Sequence, residues 1–497
     1  MQSQGSYLLA LDEGTSSARA IVFDAKGAIC GLGRRKFTQY FPQPGWVEHD
    51  ADEIYRAQLA AAKAALHQAK IEITQVAAVG ITNQRETTVL WDAENATPVG
   101  RAIVWQDRRT ADYCQRLKAE GEEAQVRSLT GLPADPYFSA TKIRWMLDHI
   151  PKAGQLHSQG RLRFGTIDTW LLWKLTGGCV HATDVSNASR TLLMDLEQRQ
   201  WHPGLLERFG IPQDILPEIR PSASDFGTTT ALGGDLPVAA LIGDQQSATF
   251  GQACFSPGDT KNTYGTGCFL LHNTGNTVER SETGLLSTLA WQIGDTPTYA
   301  LEGAIFSAGA SMEWLVTAGI VASMEEATEL AATSDNQGVY FVPAFAGLGA
   351  PHWDAYARGT IVGLTRGSGK AQLARAALEA MAYQSDEILQ AFQQATGRQI
   401  RNLKVDGGAA ANNFLMQFQA DLSGVNVVRP AHTELTAWGA AAMAGLQVGV
   451  FTSLEEIAGR LETEKQFSPA REKHFRNTEQ QRWQQAVARA KAWEPKA

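Results

Sequence analysis

A chain of 497 residues exceeds what one hydrophobic core organises, so two large domains are the expectation. Apolar content of 44% and charged content of 19% are those of a globular protein in water, and a net charge of −8 leaves no basic excess for a nucleic-acid backbone. The five cysteines lack any C-x-x-C spacing, which fits a reducing cytoplasm and gives no zinc pattern; residues 1–6 show no basic region leading into an apolar core, so no secretion signal is expected.

The first element is Tyr7-Leu8-Leu9-Ala10-Leu11-Asp12-Glu13-Gly14-Thr15-Ser16-Ser17-Ala18-Arg19, which reads as strand, tight turn and strand. The turn offers what nucleotide phosphates require: backbone N–H groups freed by glycine, hydroxyl donors, a cation, and an acid able to hold a hydrated metal ion. A plain hairpin rich in Thr and Ser fits the same residues equally well. After a turn at Asp24-Ala25-Lys26-Gly27, residues 28–37 return as a third strand. Asp50 with Glu53 three positions on forms the start signal of a helix over residues 51–70, and residues 76–81 read as a buried parallel strand. That order indicates an α/β layer structure.

The strand ends in Thr82-Asn83-Gln84-Arg85-Glu86-Thr87-Thr88, where Arg85 and Glu86 could bind hydroxyl groups or stand as a solvated pair. Ala102-Ile103-Val104-Trp105 reads as a second strand end, its tryptophan either at a site or in the core. Residues 136–147, with Tyr137, form a turn feeding an amphipathic helix, and residues 164–175 read as a short strand, an Asp-Thr cap at Asp168 and Thr169, and a helix. Residues 180–191 read as a polar loop of structural hydrogen bonds, and residues 216–237 as a linker-like shift rich in Pro, Ser, Thr and Gly. The strand at 238–242 ends at Gly243-Asp244-Gln245-Gln246-Ser247, which places Asp244 either as a general base or as a helix cap.

Further on, Lys261-Asn262-Thr263-Tyr264-Gly265-Thr266-Gly267-Cys268-Phe269 echoes the opening turn, which suggests a duplicated domain with a phosphate loop on each side of a cleft. Leu403-Lys404-Val405-Asp406-Gly407-Gly408 leads into a helix start near Asn412, suited to close approach by a nucleotide. Gly367-Ser368-Gly369-Lys370 lacks the upstream glycine of a Walker loop. Residues 435–451 read as a buried, closely packed helix rather than a membrane span, and residues 471–493 as a mostly charged helix packed across its domain.

These pieces together resemble the FGGY carbohydrate kinases, and within them the members that act on glycerol. The resemblance runs over residues 7–493 and rests on residues 80–88, 242–246, 261–269 and 405–416, with 137–148 and 359–364 similar to the family's two signatures. It implies an α/β fold of two ribonuclease-H-like (actin-like ATPase) domains flanking a deep cleft. Residues 1–252 would carry the polyol site, first phosphate loop and catalytic base, and residues 253–497 the second phosphate loop and adenine-nucleotide site. It implies ATP and Mg2+ as cofactors, glycerol as the small-molecule substrate, sn-glycerol 3-phosphate as the product, no nucleic acid, and a cytoplasmic homodimer or homotetramer.

Residue by residue, the resemblance implies that Arg85, Glu86, Tyr137, Asp244 and Gln245 bind the acceptor's hydroxyls and that Trp105 and Phe269 pack on its carbons. Asp244 would be the general base and Asp12 would position hydrated magnesium. Thr15, Ser16, Ser17 and Arg19 would hold phosphates, while Thr266, Gly309, Glu313, Gly408 and Asn412 would contact the nucleotide. Glu13 and Glu313 stand where the family commonly has glutamine. The segment Ala231-Leu232-Gly233-Gly234-Asp235-Leu236-Pro237 lacks the arginine with which some members bind fructose 1,6-bisphosphate, so weak or absent inhibition by that compound is expected. Competing expectations are a kinase for another polyol or a pentulose, and an actin-like nucleotide switch without an acceptor.

Overall fold

The computed structural model describes residues 7–494; residues 1–6, where no secretion signal is expected, lie outside the described residues. Strand β1 (Tyr7–Glu13) turns through Gly14 into β2 (Ser17–Asp24), and β3 (Ile29–Lys36) returns antiparallel beside β2. Leu9, Leu11, Ala18, Ala20 and Val22 enter one core, while Leu8, Ala10, Ile21 and Phe23 enter another. Successive side chains point to opposite faces and both faces are covered, which is why the run shows no polar alternation. Helix α1 (Ala51–Ala69) starts where Asp50 accepts the Glu53 N–H, and it buries Ile54, Ala57, Ala61 and Ala65.

Strand β4 (Val76–Asn83) lies parallel to β1. A long excursion comes next, carrying helices α2 (Ser139–His149) and α3 (Ile167–Leu175), before β5 (Leu236–Gly243) returns parallel to β4 and runs into α4 (Asp244–Gly251). The expected strand at Ala102–Ile103 forms, pairing with Glu48–His49 and, through Ile103, with Thr88, so the Trp105 that follows it stands outside the large sheet. Two sequence expectations are corrected in this excursion. Asp168 does not cap α3; its buried carboxylate accepts the hydroxyls of Thr166 at 2.5 Å and Thr183 at 2.6 Å. Residues 216–237 do not separate domains: Thr228–Thr229 pairs with β5, and Ala223 bridges both Ala240 and Ile293. Their turn-rich composition serves short loops that pair with strands of both units.

The second unit opens with β6 (Thr260–Tyr264), β7 (Cys268–Gly275), β8 (Leu286–Ile293) and β9 (Thr296–Ile305), all antiparallel. Helices α5 (Gly309–Thr317) and α6 (Lys370–Thr396) follow, then β10 (Asn402–Asp406) parallel to β6, α7 (Asn413–Ser423) and β11 (Asn426–Pro430) parallel to β10. Helix α8 (Leu435–Gln447), strand β12 (Thr463–Phe467) and helix α9 (Lys473–Ala490) complete the chain. Among the described residues the two large sheets run Thr228–Thr229-β5-β4-β1-β2-β3 and β8-β9-β7-β6-β10-β11-β12. With the additional edge strands set aside, both are a three-stranded meander extended by two parallel strands, so the sequence echo is a duplication of topology.

Helices α4 and α8 follow equivalent strands and cross each other between the sheets. Their backbones nearly touch: a Cβ on Gly439 would lie 2.0 Å from the Ser247 carbonyl oxygen, and one on Gly251 2.1 Å from that of Leu435. Around the crossing, Leu8, Phe23 and Ile242 of the first sheet share a core with Trp438, Ala441 and Met443 of α8 and with Leu271 and Trp291 of the second sheet. The expectation of a closely packed helix at 435–451 holds, and among the described residues no helix is long and apolar enough to cross a membrane. Helix α9 packs on the second unit through Trp483, stacked on Tyr383 at 5.0 Å.

Candidate active site

The antiparallel register of β1 and β2 sets Asp12 opposite Arg19, and the two side chains pair at 2.6 Å; Arg19 also reaches Glu434 at 3.0 Å. Burial raises the Asp12 carboxyl above its ordinary value, with Arg19 pulling it back. Between the strands, the Gly14 N–H donates to the Ser17 carbonyl at 3.1 Å, closing the turn. Thr15 Oγ1 accepts from Trp105 Nε1 at 3.0 Å, Ser17 Oγ accepts from Arg34 Nε at 3.1 Å, and Ser16 is exposed. Glu13 points the other way, fully buried, and accepts from Gln84 Nε2 at 3.2 and 3.1 Å. Burial lifts its carboxyl well above the usual range, against the pull of the Gln84 amide.

Beyond β4 the chain turns sharply, with Glu86 at φ +60°. Arg85 occupies the centre of the pocket formed there: Nε stands 3.3 Å from Asp244 Oδ1, Nη1 donates to Gln246 Oε1 at 3.2 Å, and Nη2 to the Tyr137 hydroxyl at 3.4 Å. Gly243 makes room for it, since a Cβ there would lie 2.8 Å from Arg85 Cδ. Asp244 is the first residue of α4, not its cap, which is Gly243. Its side chain keeps 28% of its surface open to solvent; burial raises its carboxyl, and Arg85 and the Gln245 N–H at 2.7 Å pull it down. Gln245 Oε1 accepts from Lys261 Nζ at 2.5 Å, and burial pushes that lysine down to about 8.

An aromatic wall completes the pocket. Trp105 packs edge-on against Tyr137 with ring centres 5.6 Å apart and against Phe269 of β7 at 6.3 Å. Hydrogen-bonding groups and an aromatic surface thus meet in one pocket, with both units contributing.

The second turn, between β6 and β7, leaves Gly265 and Thr266 exposed. The Gly309 N–H donates to the Gly265 carbonyl at 3.1 Å and the Ala308 N–H to that of Thr266 at 2.8 Å, which seats the start of α5 on the loop. Glu313 is exposed one turn along the same face as Gly309. Gly407, at φ +87°, presses on the end of β6: a Cβ there would lie 2.3 Å from the Tyr264 carbonyl oxygen. Gly408 faces open space beside it, and Asn412 caps α7 by accepting the Leu415 N–H at 3.0 Å.

The predicted acceptor residues Arg85, Glu86, Trp105, Tyr137, Asp244, Gln245 and Phe269 therefore lie together, as do Thr266 and Gly309. Sequence reasoning missed Glu302 of β9 and Arg190, which pair at 3.0 Å and reach Arg85 and Glu86 at 2.5 and 2.7 Å respectively. A carboxylate inside the apolar run of β9 was the available signal for Glu302. Arg190 lay in the polar loop read as structural, which is right for Asp184 and Asn187 but incomplete for the arginine.

Residues 7–251 match the N-terminal domain, and residues 260–448 the C-terminal domain, of the FGGY family of carbohydrate kinases. The chain belongs to the FGGY family of carbohydrate kinases. It is 52% identical to the glycerol kinase of Deinococcus radiodurans and to that of Burkholderia multivorans, over 99% of this chain and of each relative. Among solved structures it resembles the ADP complex of Plasmodium falciparum glycerol kinase at 35% identity and a TM-score of 0.91, covering 97% of this chain and 98% of that one. Lactobacillus acidophilus xylulose kinase, at 21% identity and a TM-score of 0.86 over 97% of both chains, shares the fold. An FGGY kinase of this architecture has two actin-like ATPase domains, and the pocket at Asp244 lies where they meet across the cleft.

Proposed function

We propose that this chain transfers the γ-phosphoryl group of ATP to a terminal hydroxyl of glycerol, giving sn-glycerol 3-phosphate and ADP. The observation that carries the reading is that Arg85, Glu86 and Asp244 gather beside the Trp105–Tyr137–Phe269 wall, whose Tyr137 hydroxyl itself meets Arg85. A three-carbon polyol presents hydroxyls on one edge and C–H groups on the other, and matches both. The full-length identity to glycerol kinases supports the choice of acceptor within the family.

In this reading Asp244 takes the hydroxyl proton as the oxygen–phosphorus bond forms and the bond to the ADP oxygen breaks. Arg85, Glu86, Tyr137 and Gln245 fix the acceptor, and Trp105 and Phe269 hold its carbons. Thr15, Ser16, Ser17, Arg19 and Thr266 take phosphate oxygens. Gly309, Glu313, Gly408 and Asn412 border the nucleotide. In phosphoryl transfer such positioning and charge stabilisation supply most of the acceleration. Among the described residues no group of three or more His, Cys, Asp or Glu side chains could hold a metal. Magnesium would therefore rest on the Asp12 carboxylate with water and phosphate oxygens, a donor set that suits it. When bound, it neutralises charge on the phosphates. A cytoplasmic location belongs to the same reading and is supported by five unpaired cysteines.

The test is ADP release from ATP and magnesium with glycerol, with other polyols or pentuloses, and with no acceptor. Glycerol-dependent release is expected. Release without an acceptor would favour a nucleotide switch, and turnover of a pentulose but not glycerol would overturn the substrate. Asp244→Asn is expected to lower kcat by about 10²–10⁴-fold, the usual contribution of a positioned base.

A further inference from the structure

Arg85, Glu302, Arg190 and Glu86 form a buried ring of alternating charge. Arg85 Nη1 and Nη2 donate to the two oxygens of Glu302 at 2.5 and 3.0 Å, and Arg190 Nη2 donates to Glu302 Oε1 at 3.0 Å. Arg190 Nε donates to Glu86 Oε1 at 2.7 Å, and Arg85 Nε closes the ring 3.9 Å from that oxygen. Two corners, Arg85 and Glu86, belong to the proposed acceptor pocket, whereas Arg190 and Glu302 do not. Glu302 comes from β9 of the second sheet and the other three from the first unit.

We infer that Glu302 and Arg190 are positioning residues for the acceptor, fixing the guanidinium of Arg85 and the carboxylate of Glu86, with Glu302 acting across the boundary between the two units. The inference rests on the phosphotransfer reading of the pocket. A guanidinium has five N–H donors, and the structure accounts for all five of Arg85. Two go to Glu302, one to Gln246 at 3.2 Å, one to Tyr137 at 3.4 Å, and Nε faces Asp244 at 3.3 Å. The grip of Glu302 is bidentate and includes the shortest contact, so it sets the plane of the fork. The longer contacts, to Tyr137 and Asp244, are the ones an acceptor hydroxyl can exchange with.

Without Glu302, the Nη edge would be free to turn onto Asp244 and neutralise the base. Glu86 has a parallel need: φ +60° is a costly backbone state for a residue other than glycine, and Arg190 ties down its carboxylate. Burial alone would push the Glu302 carboxyl up, but Arg190 and Arg85 outweigh it and hold the group down to about 2, so it stays ionised at any working pH. Because the fork is held from the second sheet, the two units cannot shift relative to each other without disturbing Arg85. Recognition of the acceptor and the relation between the units are therefore coupled.

The experiment compares wild-type protein with Glu302→Gln, Glu302→Asp and Arg190→Lys, measuring KM for glycerol, KM for ATP and the thermal midpoint of each. Glu302→Gln is expected to raise the glycerol KM at least tenfold while the ATP KM stays within about twofold. Glu302→Asp is expected to recover part of that loss, and Arg190→Lys to raise the glycerol KM in the same selective way. A folded Glu302→Gln whose glycerol KM stays within twofold of wild type overturns the inference. So does an equal rise in both KM values, the sign of a merely structural role. Should Glu302→Gln not fold, Glu302→Asp and Arg190→Lys decide, and an unchanged glycerol KM in both overturns it. A wild-type protein without acceptor-dependent turnover overturns the proposed function and this inference together, whereas a glycerol-phosphorylating wild type with an unaffected Glu302→Gln overturns the inference alone.

Discussion

Asp12 and Glu13 are adjacent acids on one strand with opposite fates, because successive strand residues face opposite sides of the sheet. Asp12 turns to Arg19 and the glycine-threonine turn; Glu13 turns inward to Gln84, where burial raises its carboxyl. Glu13→Gln puts an amide of the same shape at a buried position that faces Gln84 and not the loop, so kcat and both KM values are expected to stay within about twofold of wild type. His272 shows the cost of burial in another way. It is fully buried, shares a 2.8 Å hydrogen bond between Nδ1 and Thr260 Oγ1, and stacks on Phe392. Burial pushes its pKa down to about 4 from an ordinary 6.5, so the unfolded chain takes up a proton before the folded one does. Stability is therefore lost as pH falls from 6.5 towards 4, by up to about 3 kcal/mol for such a shift. Denaturation midpoints at pH 7 and pH 4.5 are expected to differ less in His272→Gln than in wild type.

Among the elements, the α4–α8 crossing depends on what is missing from two side chains. A Cβ on Gly439 meets a backbone carbonyl, which cannot rotate away as a side chain would. Gly439→Ala is expected to cost about 1–3 kcal/mol, the usual penalty of overpacking, read as a lower denaturant midpoint. The strands and helices of both sheets were largely legible in sequence. The β1–β2 hairpin, α1 with its Asp50 cap, β4, β5 and the β6–β7 hairpin all carry local signals in apolar runs, caps and turn residues. Residues 216–237 were misread because a segment tied to strands of both units and a linker share one composition.

At the scale of the molecule, the proposed acceptor pocket exists only where both units meet. Phe269 of β7 closes an aromatic wall whose other rings come from the excursion after β4. Phe269→Ala is expected to raise the glycerol KM several-fold and to improve turnover of longer polyols relative to glycerol, read as a change in the ratio of kcat/KM values. The sequence by itself determined the duplicated α/β plan, the two glycine-threonine turns and Asp244 at a strand's end, because strand period, turn chemistry and helix starts are local properties of the chain. Tertiary structure alone settled that Glu13 is turned away onto Gln84, that α8 packs on the first unit's sheet, and that Arg85 is held by Glu302 from 217 residues further along the chain. Those outcomes depend on which face a side chain takes and on which distant backbone lies beside it, and neither is encoded in short-range spacing.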